Sequence, residues 1–197
     1  ASNGSNTTAV FAGKDPRNGE GYVYLETLGG GCGARANKDG KDGVQVHITN
    51  TSNLPVEAIE TEYPLRVEAY GLIEDSGGPG QYRGGMGLRR IIRSVGHTCD
   101  FNGAGERFSH HPWGLFGGGH GGSGQFLHID GSGEATTLVN KPSGIRLSPD
   151  ERIIIDSPGA GGYGAPGDRN PVALETDRRS GKFSRAYLDE HYGTGRG

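Results

Sequence analysis

Tyr22-Val23-Tyr24-Leu25-Glu26-Thr27, followed at once by Gly29-Gly30-Gly31, sets the pattern for the chain. Aromatic and β-branched residues in a six-residue run read as a strand, and the glycines that follow read as its end. The same unit recurs. Val44 to Thr49 alternates, with Val44, Val46 and Ile48 on one face and Gln45, His47 and Thr49 on the other. Arg66 to Ile73, Leu88 to Val95, Gln125 to Ile129, Thr136 to Val139 and Arg152 to Asp156 complete the set. Between them lie Gly77-Gly78-Pro79-Gly80, Gly84-Gly85, Gly117-Gly118-Gly119, Gly121-Gly122 and Gly161-Gly162, read as turns. About seven short strands separated in this way predict a mainly β, glycine-rich sandwich or barrel.

The last thirty residues change character. Asn170-Pro171 predicts a cap and first position of a helix through about Arg179, stopped by Gly181. Ser184 predicts the cap of a second helix through about Tyr192, with Gly193 after it. The expected organisation is a β domain over 1–168 and a short helical C-terminal appendage over 169–197.

Composition sets the outer bounds. Of 197 residues, 39 are glycine and 10 proline, far above ordinary usage. No G-X-Y period runs through them, which excludes collagen. A 31% hydrophobic share and a net charge of −3 argue for a folded chain over disorder. That charge gives no reason to expect nucleic acid as a partner. No apolar run approaches a membrane span, and two cysteines, Cys32 and Cys99, make a cytoplasmic location the expectation.

Single motifs carry little chemistry. Gly159-Ala160-Gly161-Gly162-Tyr163-Gly164 matches G-x-G-x-x-G, but Ala165-Pro166-Gly167 follows where a dinucleotide site needs a helix. Gly-Lys pairs are followed by Asp15, Asp42 and Phe183, never by Ser or Thr, so no phosphate-cradling P-loop exists. The seven histidines form no metal-binding spacing, and no metal is expected on this chain alone. Cys32 and Cys99 read as small buried hydrophobes. His47 shares a face with Gln45 and Thr49 and runs into Asn50-Thr51-Ser52-Asn53; this is a pocket lining or a solvated polar face. Glu57, Glu60 and Glu62 read as a solvated segment. Arg83, Arg89, Arg90 and Arg93 read as an anion site or, more simply, the exposed face of a strand.

Taken in order, nine blocks resemble one family. They are Tyr24-Leu25-Glu26-Thr27; Gly29 to Ala34; Asp42-Gly43-Val44; His47 to Thr51; Glu62-Tyr63-Pro64-Leu65; Asp75 to Gly80; Tyr82 to Gly87; Pro112 to Gly118; and Ser157 to Gly164. Together they resemble the C-terminal part of the hydantoinase B family, which embraces subunits of N-methylhydantoinase, 5-oxoprolinase, caprolactamase and acetone and acetophenone carboxylases. The resemblance implies membership of a larger α+β subunit. It implies an ATP-dependent cyclic-amide hydrolase, with a ketone carboxylase and a non-catalytic scaffolding module as alternatives. It also implies a hydantoinase A-type partner that holds ATP and Mg and phosphorylates a small-molecule substrate. A divalent metal, Zn or Mn, is expected in an N-terminal hydantoinase B portion on a separate chain, this chain reading as a split or processed segment. The site residues it implies are His47 and Asn50 as catalytic, with Glu26, Thr49, Thr51 and Arg83 binding substrate.

Overall fold

The computed structural model describes residues 1–46, 49 and 51–193. Nine strands occur among them: β1 (Thr7–Lys14), β2 (Gly21–Leu28), β3 (Leu65–Leu72), β4 (Leu88–Ser94), β5 (Cys99–Ala104), β6 (Gln125–Ile129), β7 (Ala135–Thr137), β8 (Ile145–Leu147) and β9 (Arg152–Asp156). Three α-helices accompany them: α1 (Val56–Glu62), α2 (Pro171–Ser180) and α3 (Arg185–Tyr192). The strands form two antiparallel sheets, ordered β2-β1-β5-β8 and β3-β4-β9-β6-β7.

The sheets are faces of one sandwich. β1 alternates buried and half-buried positions over most of its length, and β4 does so throughout, as period-two side-chain placement requires. Ala9, Phe11, Tyr24, Leu28, Cys99 and Phe101 from the first sheet meet Ile92, Phe126, Ile153 and Ile155 from the second in a single apolar cluster. Phe101 and Phe126 face each other across the sheets in an edge contact at 5.6 Å. No described helix is long and apolar enough to cross a membrane.

The glycine runs do something other than turn the chain. Of the glycines assigned to turns above, only Gly117 has a left-handed φ. The rest lie in segments that approach one another and bond backbone to backbone. Cys32 donates to Lys41 O at 2.9 Å, Gly85 to Cys32 O at 2.9 Å, Gly78 to Ala160 O at 2.8 Å and Gly162 to Gly119 O at 3.0 Å. A β-carbon on Gly84 would overlap the Ala160 carbonyl, and one on Gly40 the Cys32 carbonyl. Side-chain-free backbone lets these segments approach closely enough to satisfy each other's polar groups.

Several elements depart from the sequence reading. Val44 makes one bridge to Gly30, and Gln45 and Val46 belong to no strand. Over these described positions the alternating pattern meets no partner strand, because the glycine segment beside it is not part of a sheet; positions 47 and 48 of the predicted strand lie outside the described residues. β1, β5 and β8 lie outside the strands that the sequence predicts. Few large apolar side chains, such as Phe11 and Phe101, carry their signal. The Glu57–Glu62 segment lies in helix α1, with Glu57 and Glu62 exposed as read and Glu60 half-buried. Its sole buried residue is Ile59, and Glu60 Oε1 accepts from Val67 N at 2.9 Å.

The C-terminal helices follow local rules closely. Asn170 Oδ1 accepts from Val172 N at 2.8 Å, Pro171 opens α2, and Gly181 closes it at φ 69°. Ser184 Oγ accepts from Tyr187 N at 3.1 Å. Gly193, however, is extended at φ −63°. Phe183 and Leu188 bury against Met86 of the glycine region, with Leu174, Tyr187 and Tyr192 around them.

Candidate active site at one mouth of the sandwich

β2 turns Tyr24, Glu26 and Leu28 inward. A carboxylate among apolar neighbours must find partners, and Glu26 finds three. Its Oε1 accepts from Leu54 N at 2.9 Å. Its Oε2 accepts from the Tyr24 hydroxyl and from Arg90 Nη1. Burial, reinforced by the hydrogen bond to Glu26, pushes the Tyr24 phenol far above its ordinary range, so it remains a protonated donor.

Arg90 is wholly buried. It lies on β4 directly across from Tyr70 of β3, and its guanidinium carbon sits 4.1 Å from the Tyr70 ring centre. The Tyr70 hydroxyl accepts from Asn53 Nδ2. Gln45 Nε2 donates to Thr27 O at 2.9 Å and to Asn53 Oδ1 at 3.3 Å. Thr49 Oγ1 donates to Gln45 Oε1 at 3.4 Å, and the Thr27 and Thr51 hydroxyls meet at 3.5 Å. These side chains surround an open cleft of about 520 Å³, bounded by Gly43–Gln45, Thr51–Val56 and Tyr70. Its polar lining is neutral amide and hydroxyl, beside the apolar Val44, Leu54, Pro55 and Val56, and the Glu26–Arg90 ion pair is joined to it through Leu54 N. Such a wall offers both donors and acceptors, as a small amide requires.

Of the residues read from sequence, Thr51 lines this cleft, Thr49 bonds its wall, and Glu26 is buried behind it, bonded to the lining residue Leu54. His47 and Asn50 lie outside the described residues. Arg83 stands apart. It is buried, and its Nε donates to Asp177 Oδ1 at 3.1 Å and its Nη1 to Asp42 Oδ1 at 2.9 Å. Arg169 joins the same group, with Asp177 Oδ2 at 2.9 Å and both oxygens of Asp39 at 2.9 Å. Lys182 Nζ reaches Asp42 Oδ2 at 2.6 Å. Burial alone would raise the carboxyls of Asp39 and Asp42. The hydrogen bonds and charges of Arg169, Arg83 and Lys182 outweigh it and hold both below the ordinary range.

Tyr70 and Arg90 were not singled out for the cleft. The reading of Arg83, Arg89, Arg90 and Arg93 as one exposed face fails at Arg83 and Arg90, both buried. Arg89 and Arg93 alternate outward to pair with Asp156 and Glu68, while Arg90 shares parity with Leu88 and Ile92. That parity was the available signal. Among the described residues, no group of three or more His, Cys, Asp or Glu is arranged to hold a metal ion.

Comparison with known proteins bears on this geometry. The sequence profile of the family described as Hydantoinase B/oxoprolinase matches residues 1–166. The 5-oxoprolinase 1 of Arabidopsis thaliana is 38% identical over 144 residues, covering 73% of this chain and 11% of that protein. The crystal structure of the ATP-dependent caprolactamase from Pseudomonas jessenii superposes with a TM-score of 0.84 at 25% identity, covering all of this chain and 35% of that one. Acetone carboxylase shares the fold, with a TM-score of 0.72 at 20% identity over 98% of this chain and 30% of that one. The chain spans about a third or less of the length of the relatives it matches.

Proposed function

The chain belongs to the hydantoinase B/oxoprolinase family, and on that premise we propose that it forms one wall of the active site of an ATP-dependent cyclic-amide hydrolase. A hydantoinase A-type partner holds ATP and Mg and phosphorylates the amide oxygen, turning a poor leaving group into a good one. The remaining hydantoinase B portion supplies the divalent cation. This chain receives the activated ring in the cleft beside Glu26.

The observation that supports this reading most directly is the neutral polar wall of that cleft. Gln45, Asn53, Thr51 and Tyr70 present amide and hydroxyl groups where a ring amide's N–H and C=O need complementary partners. Thr49 and Thr51 are assigned to the substrate, and His47 and Asn50 to catalysis. Donors fixed around the reacting carbon stabilise oxyanion charge as it develops. Glu26, Tyr24 and Arg90 brace the cleft from behind through mutual hydrogen bonds. Arg83 we assign to holding the C-terminal helices, since two aspartates occupy its N–H groups.

The test is ATP turnover by the complete assembly. Stimulation by a lactam without bicarbonate supports the hydrolase. ATP use that requires both bicarbonate and a ketone replaces it with the carboxylase whose fold is shared. Unchanged turnover after His47→Ala with Asn50→Ala reduces this chain to a scaffold.

A further inference from the structure

β2 is an outermost strand of its sheet, and it carries two large apolar side chains that the fold leaves uncovered: Val23 is 64% and Leu25 61% exposed. They stand two residues apart on the outward face, where β1 sets Ala12 opposite Val23 and Val10 opposite Leu25. Thr8 and Thr27 form the next pair in the row, so three successive cross-strand pairs carry no charge. The outward face of the other sheet is laced with ion pairs instead: Arg89 with Asp156, and Arg93 and Arg152 with Glu68. On the first sheet the face turns polar only at β5, where Asp100, opposite Ala12, pairs with Arg146. A long edge strand with a bare apolar face is an aggregation hazard that folded proteins cover. An apolar centre beside a charged rim is the composition of a permanent interface.

The row leads to the cleft. The Thr27 carbonyl accepts from Gln45 Nε2, and the Thr27 and Thr51 hydroxyls meet at 3.5 Å, so a body seated on Val23 and Leu25 borders the cleft. Most of a subunit of this kind is other structure, since this chain covers 35% of the caprolactamase chain. We propose that Val10, Ala12, Val23 and Leu25 form the docking surface for the remaining portion of the hydantoinase B subunit, and that this contact seats that portion beside the cleft. What docks there is an apolar, uncharged face of that portion. The proposal rests on the functional reading above, in which the same portion brings the divalent cation to the substrate. A second copy of this chain would cover the row but bring the cleft only a duplicate of itself.

The experiment places the photoreactive amino acid p-benzoylphenylalanine at position 25 of this chain in the complete assembly, irradiates it and maps the crosslinked peptides by mass spectrometry. The expected product joins position 25 to the remaining hydantoinase B portion. A product with the A-type ATPase or with a second copy of this chain overturns the proposal, as does the absence of any crosslink. A second measurement moves the probe to position 12 and adds Val23→Asp with Leu25→Asp. Two carboxylates buried there without partners should cut the yield by about tenfold or more, and an undiminished yield overturns the apolar contact. Both side chains point to solvent in this chain, so the sandwich should fold unchanged, which far-UV circular dichroism checks. The expected crosslink without lactam-stimulated ATP turnover would leave this surface standing and remove the hydrolase reading; turnover without the crosslink would do the opposite.

Discussion

Glu26 and Arg90 sit on different sheets, 64 residues apart in sequence, and form an ion pair whose side chains are 5% and 0% exposed. The pair ties the two layers of the sandwich together at the end where the cleft opens. A buried pair of this kind adds little over an apolar substitute, yet breaking it strands a charge.

Truncating one partner should therefore cost far more than removing both. Glu26→Ala is expected to destabilise by about 3–5 kcal/mol, and the combination of Glu26→Gln with Arg90→Met by distinctly less. Urea denaturation of the three proteins measures this. A double variant as unstable as Glu26→Ala contradicts the pairing.

Acid should release the C-terminal helices before it melts the sandwich. Asp39 and Asp42 have pKa values lowered from 3.8 by their cationic partners. A lowered folded value means that stabilisation is complete above the unfolded value and is lost as pH falls through the folded one. Proteolytic cleavage after residue 168 should rise below about pH 4 while the β signal in circular dichroism persists. Asp177→Asn, which removes the charge shared by Arg83 and Arg169, should produce the same cleavage at neutral pH. Simultaneous loss of helix and sheet would contradict it.

Close backbone approach makes the glycine bundle intolerant of one methyl. Gly84→Ala drives a β-carbon into the Ala160 carbonyl, whereas Gly167 has open space around it. We expect Gly84→Ala to lower stability by more than about 3 kcal/mol and Gly167→Ala by less than about 0.5 kcal/mol. Thermal melts of the pair decide it; equal melting temperatures would show that the bundle can spread.

Cys99 should resist alkylation. Burial raises its thiol to about 11, and the side chain is fully enclosed. At pH 8 iodoacetamide should modify it only after denaturant is added. Peptide mass analysis locates the label, and rapid modification of the native protein would show that β5 opens.

The sequence alone determined what depends on neighbours along the chain. The helix caps Asn170 and Ser184, the left-handed stop at Gly181 and the limits of β6 and β9 all follow from side chains bonding backbone two or three residues away, or from a period of two within a short run. The nine ordered blocks likewise carried the family. Tertiary structure decided the rest. Val44 to Val46 alternates like a strand yet pairs only once, because pairing needs a partner strand that alternation cannot supply. Ile59 makes a helix of seven residues worth forming only by burial in the core cluster to which both sheets contribute. The parity of Arg90 with Ile92 was visible, but not that Glu26 waits opposite. An arginine turns inward only where a distant chain brings it a carboxylate, and that meeting is a property of the folded sandwich.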